Sequence, residues 1–167
     1  MPRDKQEFSK ILLAIDGSES SMAAADCAIS ITACYDGADL IVLHVLPAGI
    51  KKVYFDYKPE ELPISIRTNL SEYKHEVQHW LYRINDRYEK QKQKEQHKNE
   101  TANITLKIEM VELLTSVAGT IVSYAEEQGI DLIVIGTRGM SGIKRMLLGS
   151  VAEGVVMYTH CPVLVVK

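Results

Sequence analysis

The stretch Asp131-Leu132-Ile133-Val134-Ile135-Gly136-Thr137-Arg138-Gly139 runs from apolar residues straight into two glycines, and Gly149-Ser150 follows after nine further residues. A helical pattern then begins at Val151. A strand that opens into a glycine loop and then a helix start is a place for phosphates. Glycine lets the backbone come close to the oxygens, and the first N–H groups of the helix point at them. The stretch therefore predicts an α/β fold that binds a nucleotide. Gly136 and Gly139 are expected to allow a positive-φ turn, and Arg138, Lys144 and Arg145 add positive charge. The pattern lacks the Gly-Lys-Ser/Thr ending of a Walker loop and is longer than the G-x-G-x-x-G turn. A plainer reading stays open, in which the glycines serve a strand–helix connection and Ser150 is only an N-cap.

Working outward, Lys10 to Ile15 reads as a buried strand ended by Asp16-Gly17-Ser18. Ser18 or Ser20 caps a helix carrying Met22, Ala25, Ala28, Ile29 and Ala33, which Asp36-Gly37 stops. Asp39 to Leu46 is a second apolar strand. Residues 50–66, with Pro59 and Pro63, read as an irregular connection. Leu70, Tyr73, Val77, Trp80, Leu81, Ile84 and Tyr88 recur at three- and four-residue steps, one face of an amphipathic helix. The polar stretch Glu89 to Asn99 is either an exposed extension of that helix or a flexible connection, and its mixed charges favour a solvated face.

Ile104 to Val111 alternates apolar and polar residues, as a strand nearer the sheet edge does. Thr115 or Ser116 caps the next helix, which Gln128-Gly129 closes. Asp131 to Ile135 is the fourth strand, a helix spans about Val151 to Tyr158, and Val163 to Val166 is the last strand. Strands alternating with helices imply a doubly wound parallel sheet covered on both faces, with ligands beyond the carboxyl ends of the strands.

Single residues carry less. Asp16, at the end of the first strand, could meet a ribose hydroxyl or a water-bridged magnesium ion; it could equally be an Asp-Gly turn at the helix entry. His44 reads as a satisfied core or cleft-edge histidine, and His160 as a loop residue. The five histidines are scattered, with no carboxylate or cysteine cluster that suggests a metal. Cys27, Cys34 and Cys161 show no CxxC spacing, and Cys27 and Cys34, seven apart in one helical pattern, read as two small core residues. No Ser/His/Asp, Cys/His or paired-carboxylate constellation assembles, so no catalytic residue is assigned.

The length of 167 residues suits one domain with a sizeable core. A net charge of -3 shows no broad basic field for nucleic acid. The apolar runs are shorter than a membrane span, and the charged N-terminus is unlike a signal peptide, so the expected location is the cytoplasm, with no membrane partner.

The blocks Lys10-Ile-Leu-Leu-Ala-Ile-Asp-Gly-Ser, Val42-Leu-His-Val, Asp131-Leu-Ile-Val-Ile-Gly-Thr-Arg-Gly, Leu148-Gly-Ser-Val-Ala-Glu and Cys161-Pro-Val-Leu-Val-Val together resemble the universal stress protein family. They stand in the family's order and span nearly the whole chain, all but roughly 50–103. The G-x2-G-x9-G-[S/T] spacing resembles the family's ATP-binding branch. The resemblance implies a five-stranded parallel sheet of order 3-2-1-4-5 and a homodimer paired through Val163 to Val166. It also implies ATP, with Mg²⁺ or Mn²⁺ on its phosphates and Asp16 serving the metal through water. By the same resemblance Ala14, Ile15 and Asp16 line adenine and ribose, and Val45 meets adenine. Gly136, Arg138 and Gly139 surround ribose and phosphates, and Gly149, Ser150 and Val151 form the phosphate-binding helix start.

The expectation is one universal stress protein domain over 1–167. It binds ATP and acts as a regulatory or protective module toward an unknown protein partner. Its helical and polar segment at about 65–100 is longer than the family's usual second helix. Two other readings are slow ATP hydrolysis or autophosphorylation, with Ser150 as acceptor, and a nucleotide-free scaffold that binds protein through the middle helix.

Overall fold

The strand Lys10–Ile15 (β1) sets the frame because its side chains alternate between two cores. Ile11, Leu13 and Ile15 enter one cluster, and Leu12 and Ala14 enter the other. A strand buried on both faces needs neighbours on both edges and helices on both sides. The computed structural model, which describes residues 8–50, 63–98, 104–138 and 148–167, provides both.

Asp39–Leu46 (β2) and Leu132–Gly136 (β4) flank β1, both parallel to it, with Leu13 opposite Val42 on one side and Val134 on the other. Thr105–Glu112 (β3) lies outside β2, and Val163–Val166 (β5) lies outside β4. The order is β3-β2-β1-β4-β5 in one five-stranded parallel sheet. The chain winds outward from β1 to β3, then returns to lay β4 on the opposite edge of β1. The reversal falls between β1 and β4, where crossovers diverge and leave a crevice at the strand ends.

Among the described residues, four helices cover the sheet. Glu19–Thr32 (α1) and Ile64–Lys98 (α2) pack on one face, through Met22, Ala25, Ile29, Ile84 and Tyr88. Val117–Gln128 (α3) and Ser150–Tyr158 (α4) pack on the other, through Ile121, Val122, Ala152 and Val155. Of the alternative caps, Ser18 and Ser116 take the part: each side chain accepts from an amide three residues on, Ser21 and Gly119. Gly129 ends α3 with φ 63°, the left-handed conformation that glycine adopts at no steric cost.

Helix α2 departs from the sequence reading at its start. It begins at Ile64, inside the stretch read as an irregular connection, directly after Pro63; residues 51–62 lie outside the described residues. A proline just before a helix gives up no helical hydrogen bond, so it marks the entry and not a break. The polar tail is helical to Lys98, which settles its two readings in favour of the exposed extension. Local pairs support it, Lys90 with Asp86 at 2.7 Å and Gln91 with Glu95 at 2.9 Å. Arg87 ties α2 to α1 through Asp26 at 2.8 Å and the Met22 carbonyl at 3.2 Å. Tyr88 donates to the Ile104 carbonyl at 2.6 Å; burial pushes its hydroxyl up to about 12, so it stays a donor.

The paired-core reading of the cysteines is corrected. Cys27 is half-buried against the core, but Cys34 is exposed, its Sγ donating to the Ser30 carbonyl at 3.3 Å. Seven-residue spacing keeps two residues on one face only while the helix lasts, and α1 ends at Thr32. Among the described residues no helix is long and apolar enough to cross a membrane.

Candidate functional site

At the reversal, a cleft of about 230 Å³ opens over the carboxyl ends of β1, β2 and β4. Ala14, Ile15 and Asp16 enter it from β1 and the turn beyond, and Val45 from β2. Gly136 and Arg138 come from the end of β4, and Gly149, Ser150 and Val151 from the start of α4. These are the residues singled out in the sequence, all but Gly139, which lies outside the described residues. Val117 and Ile121 of α3 add an apolar wall, as do Leu43 and Ile135.

Residue 137 holds the two ends of the glycine segment together. The Thr137 amide donates to the Val166 carbonyl at 2.7 Å, and its carbonyl accepts from the Gly149 amide at 2.7 Å. Helix α4 therefore starts beside the end of β4. Its N-cap is Gly149, which makes no side-chain capping bond, so Ser150 is the first helical residue and not the cap. Gly149 offers no side chain to the leading amides of α4, and residues 149–152 line the cleft. Free first-turn donors carry partial positive charge, and an anion satisfies both.

Gly136 is needed for a reason other than the expected positive φ, which it does not adopt. A Cβ there would stand 2.6 Å from Ser20 Oγ and 2.7 Å from the Ser20 carbonyl carbon and the Ser21 amide. Glycine lets the first turn of α1 press against β4. At the cleft end of β1 a positive φ falls instead on Gly17, at 81°, where a Cβ would collide with the Trp80 ring.

Asp16 Oδ1 accepts from the Ser18 amide at 3.0 Å, so the carboxylate shapes the turn into α1 while it lines the cleft. Ser18 and Ser20 then reach across to β4. Both hydroxyls donate to the Arg138 carbonyl, at 3.1 and 2.6 Å, and Ser20 Oγ accepts from the Arg138 amide at 3.2 Å. Sequence reasoning missed this link, because serines at a helix start look like caps and nothing local names their second partner.

His44 is buried and satisfied, as read. Nδ1 lies 2.9 Å from the Ile15 carbonyl and Nε2 lies 2.6 Å from the Tyr73 hydroxyl. A carbonyl only accepts, so the network assigns the proton to Nδ1, and Nε2 of the neutral ring accepts from Tyr73. Burial pushes the imidazole below its ordinary 6.5, against the Ile15 hydrogen bond and the Asp16 charge, which both favour the charged form. Trp80 meets the same ring edge-on at 5.7 Å. Tyr73 and Trp80 were legible only as helix-face residues; the chain's single tryptophan opposite Gly17 was the available signal.

Among the described residues no group of three or more His, Cys, Asp or Glu could hold a metal ion. Among the residues that line the cleft, Asp16 is the one carboxylate.

Comparison with known proteins places this geometry in a family. A sequence model described as "Universal stress protein family" matches residues 7–167. The chain is 32% identical over 162 residues to the universal stress protein YxiE of Bacillus subtilis, across 96% of this chain and 99% of that one. It is 35% identical over 160 residues to a universal stress protein of Methanocaldococcus jannaschii, across 96% of this chain and 82% of that one. Solved structures share the fold. The universal stress protein UspA of Lactobacillus plantarum superposes with a TM-score of 0.67 at 24% identity, across 98% of this chain and 100% of that one. A universal stress protein in complex with cAMP gives 0.61 at 24% identity, across 97% and 98%. One from Archaeoglobus fulgidus in complex with dAMP gives 0.62 at 20% identity, across 96% and 98%. With the family sequence matched over nearly its whole length and the parallel sheet in the order 3-2-1-4-5, the chain belongs to the universal stress protein family.

Proposed function

We propose that this protein binds an adenine nucleotide, ATP foremost, in the cleft at the ends of β1, β2 and β4, and works as a nucleotide-dependent regulatory or protective module in stress response. The observation that carries the reading is the convergence of Ala14 to Asp16, Val45, Gly136, Arg138 and the uncapped start of α4 on one cleft. Phosphates sit at the amides of residues 150–152 beside the Arg138 guanidinium, ribose near Asp16, and the base against Val45. Mg²⁺ or Mn²⁺ rides on the phosphates, with Asp16 reaching it through water. The relatives solved with cAMP and dAMP lend support.

The same proposal includes a homodimer through Val163 to Val166. Strand β5 is paired with β4 along one side and stands at the sheet edge, with Leu164 partly exposed. An edge strand that pairs with its own copy is self-complementary and covers an aggregation-prone edge. Nucleotide binding transmits a signal where a protein partner has different affinities for the loaded and empty forms.

The test is nucleotide content. Freshly purified protein is denatured and its released small molecules are separated by chromatography; the emptied protein is titrated with Mg-ATP and with AMP. Released or saturably bound adenine nucleotide supports the reading. Absence of both refutes it.

A further inference from the structure

Along the sequence the five histidines look scattered, but on α2 two of them share a face. Residues 75–79 read His75-Glu76-Val77-Gln78-His79, the H-E-x-x-H pattern, in which two histidines four apart on a helix present their rings side by side. Val77 is fully buried and fixes which way this turn faces. His75 and His79, each about 200° of helical rotation from Val77, are both exposed. Side chains four apart have Cβ atoms roughly 5–6 Å from one another, a span that two imidazoles close on one ion.

His75, Glu76 and His79 line a cleft of about 350 Å³ together with Gly17 and Trp80. Among the described residues no hydrogen bond or ion pair engages either imidazole or the Glu76 carboxylate. Helix α2 is already held by Val77, Ile84 and Tyr88, so the pair is presented without the cost of ordering a loop. We propose that His75 and His79 bind a divalent transition-metal ion through two imidazoles, with water on its open positions and the Glu76 charge beside it. Imidazole pairs suit nickel, copper and zinc, with copper bound most tightly. No third His, Cys, Asp or Glu among the described residues completes a closed set, so the assignment is an open metal-binding site and not a peptidase centre. It is separate from the nucleotide reading: Asp16 lines that cleft and Gly17 this one.

Trp80, the only tryptophan, borders the proposed ion and reports on it. Full-length protein without a histidine tag is titrated with NiCl₂ and with CuCl₂ while tryptophan fluorescence is followed. Saturable one-to-one quenching is expected, tighter for copper, with fluorescence restored when an excess of Zn²⁺, whose filled d shell does not quench, displaces nickel. His75→Gln and His79→Gln should each weaken binding by at least about tenfold, the loss seen even when only an outer partner of a metal ligand is removed. His97→Gln, on the far tail of α2, should leave it unchanged. Both variant positions are exposed, so far-UV circular dichroism should match the parent, and Mg-ATP titrations should be unaltered. Quenching that never saturates, or that persists unchanged in both His75→Gln and His79→Gln, overturns the proposal and leaves the nucleotide reading untouched.

Discussion

The Tyr73 hydroxyl stands 2.6 Å from His44 Nε2, and the opposite nitrogen of that ring stands 2.9 Å from the Ile15 carbonyl. A side chain of the long helix α2 is thereby linked, through one imidazole, to the backbone of β1 just before Asp16. Tyr73→Phe leaves a buried ring nitrogen without its donor. A loss of about 1–3 kcal/mol in stability is expected, the cost of an unsatisfied buried polar group. Urea denaturation checks it, and an unchanged midpoint would mean water replaces the hydroxyl.

The same ring gives a pH dependence. Its folded-state pKa is depressed below 6.5, so between the two values the unfolded chain binds more protons than the folded one. The stability from burying neutral His44 is fully present above 6.5 and is lost as pH falls below it toward the folded value. His44→Gln removes the titrating group. Parallel denaturation series from pH 7.5 to 5 should show a steeper decline for the parent than for the variant, and parallel curves would contradict the assignment.

Gly136→Ala places a methyl group against backbone atoms of Ser20 and Ser21 at 2.7 Å and against Ser20 Oγ at 2.6 Å. Backbone at a helix start has little room to give, so a destabilisation of about 1–3 kcal/mol is expected. Because α1 and β4 must separate for the methyl group to fit, nucleotide affinity should fall as well. Thermal melts and Mg-ATP titration of the variant read the two effects separately.

Ser20→Ala removes the two Ser20 hydrogen bonds to the Arg138 backbone, leaving the Ser18 cap and the Ser18 bond to the Arg138 carbonyl in place. A stability loss of about 0.5–1.5 kcal/mol per bond is the ordinary scale. The more telling outcome is in affinity: with only the Ser18 bond left on its backbone, Arg138 should be held less firmly, and Mg-ATP should bind several-fold more weakly. Equal affinity would show that Arg138 is held by other contacts.

Ser150→Ala should be mild. The leading amides of α4 remain as donors, so the expected loss is near that of one neutral hydrogen bond, about 1 kcal/mol or roughly fivefold in affinity. Isothermal titration calorimetry with Mg-ATP distinguishes this from a loss of a hundredfold, which would make the hydroxyl the main anchor.

The elements that were easy to read had strong local signatures. Continuous apolar runs marked β1, β2 and β4, and the alternation in β3 suited its edge position. The start of α2 was harder, since Pro63 reads equally as a breaker and as a helix entry until the following residues are seen to pack. The strand order came from the family resemblance, because periodicity is silent on which strands are neighbours. Cys34 was misjudged for the related reason that a helical spacing carries no information beyond the residue where the helix stops.

What the sequence alone determined is what short-range chemistry determines: strand and helix identities, the glycine spacing from Gly136 to Gly149, and the small residues at the start of α4. Tertiary structure decided which residues meet. It set Ser20 on the Arg138 backbone and made Gly136 a point of close approach. It laid Trp80 on Gly17, tied Tyr73 to His44, and turned His75 and His79 outward into one cleft. The reason is physical. Propensity and hydrophobic period act over a few residues, whereas Ser20 and Arg138, Gly136 and Ser21, Trp80 and Gly17, and Tyr73 and His44 are far apart in the chain and come together only in the wound sheet with its helices packed on it.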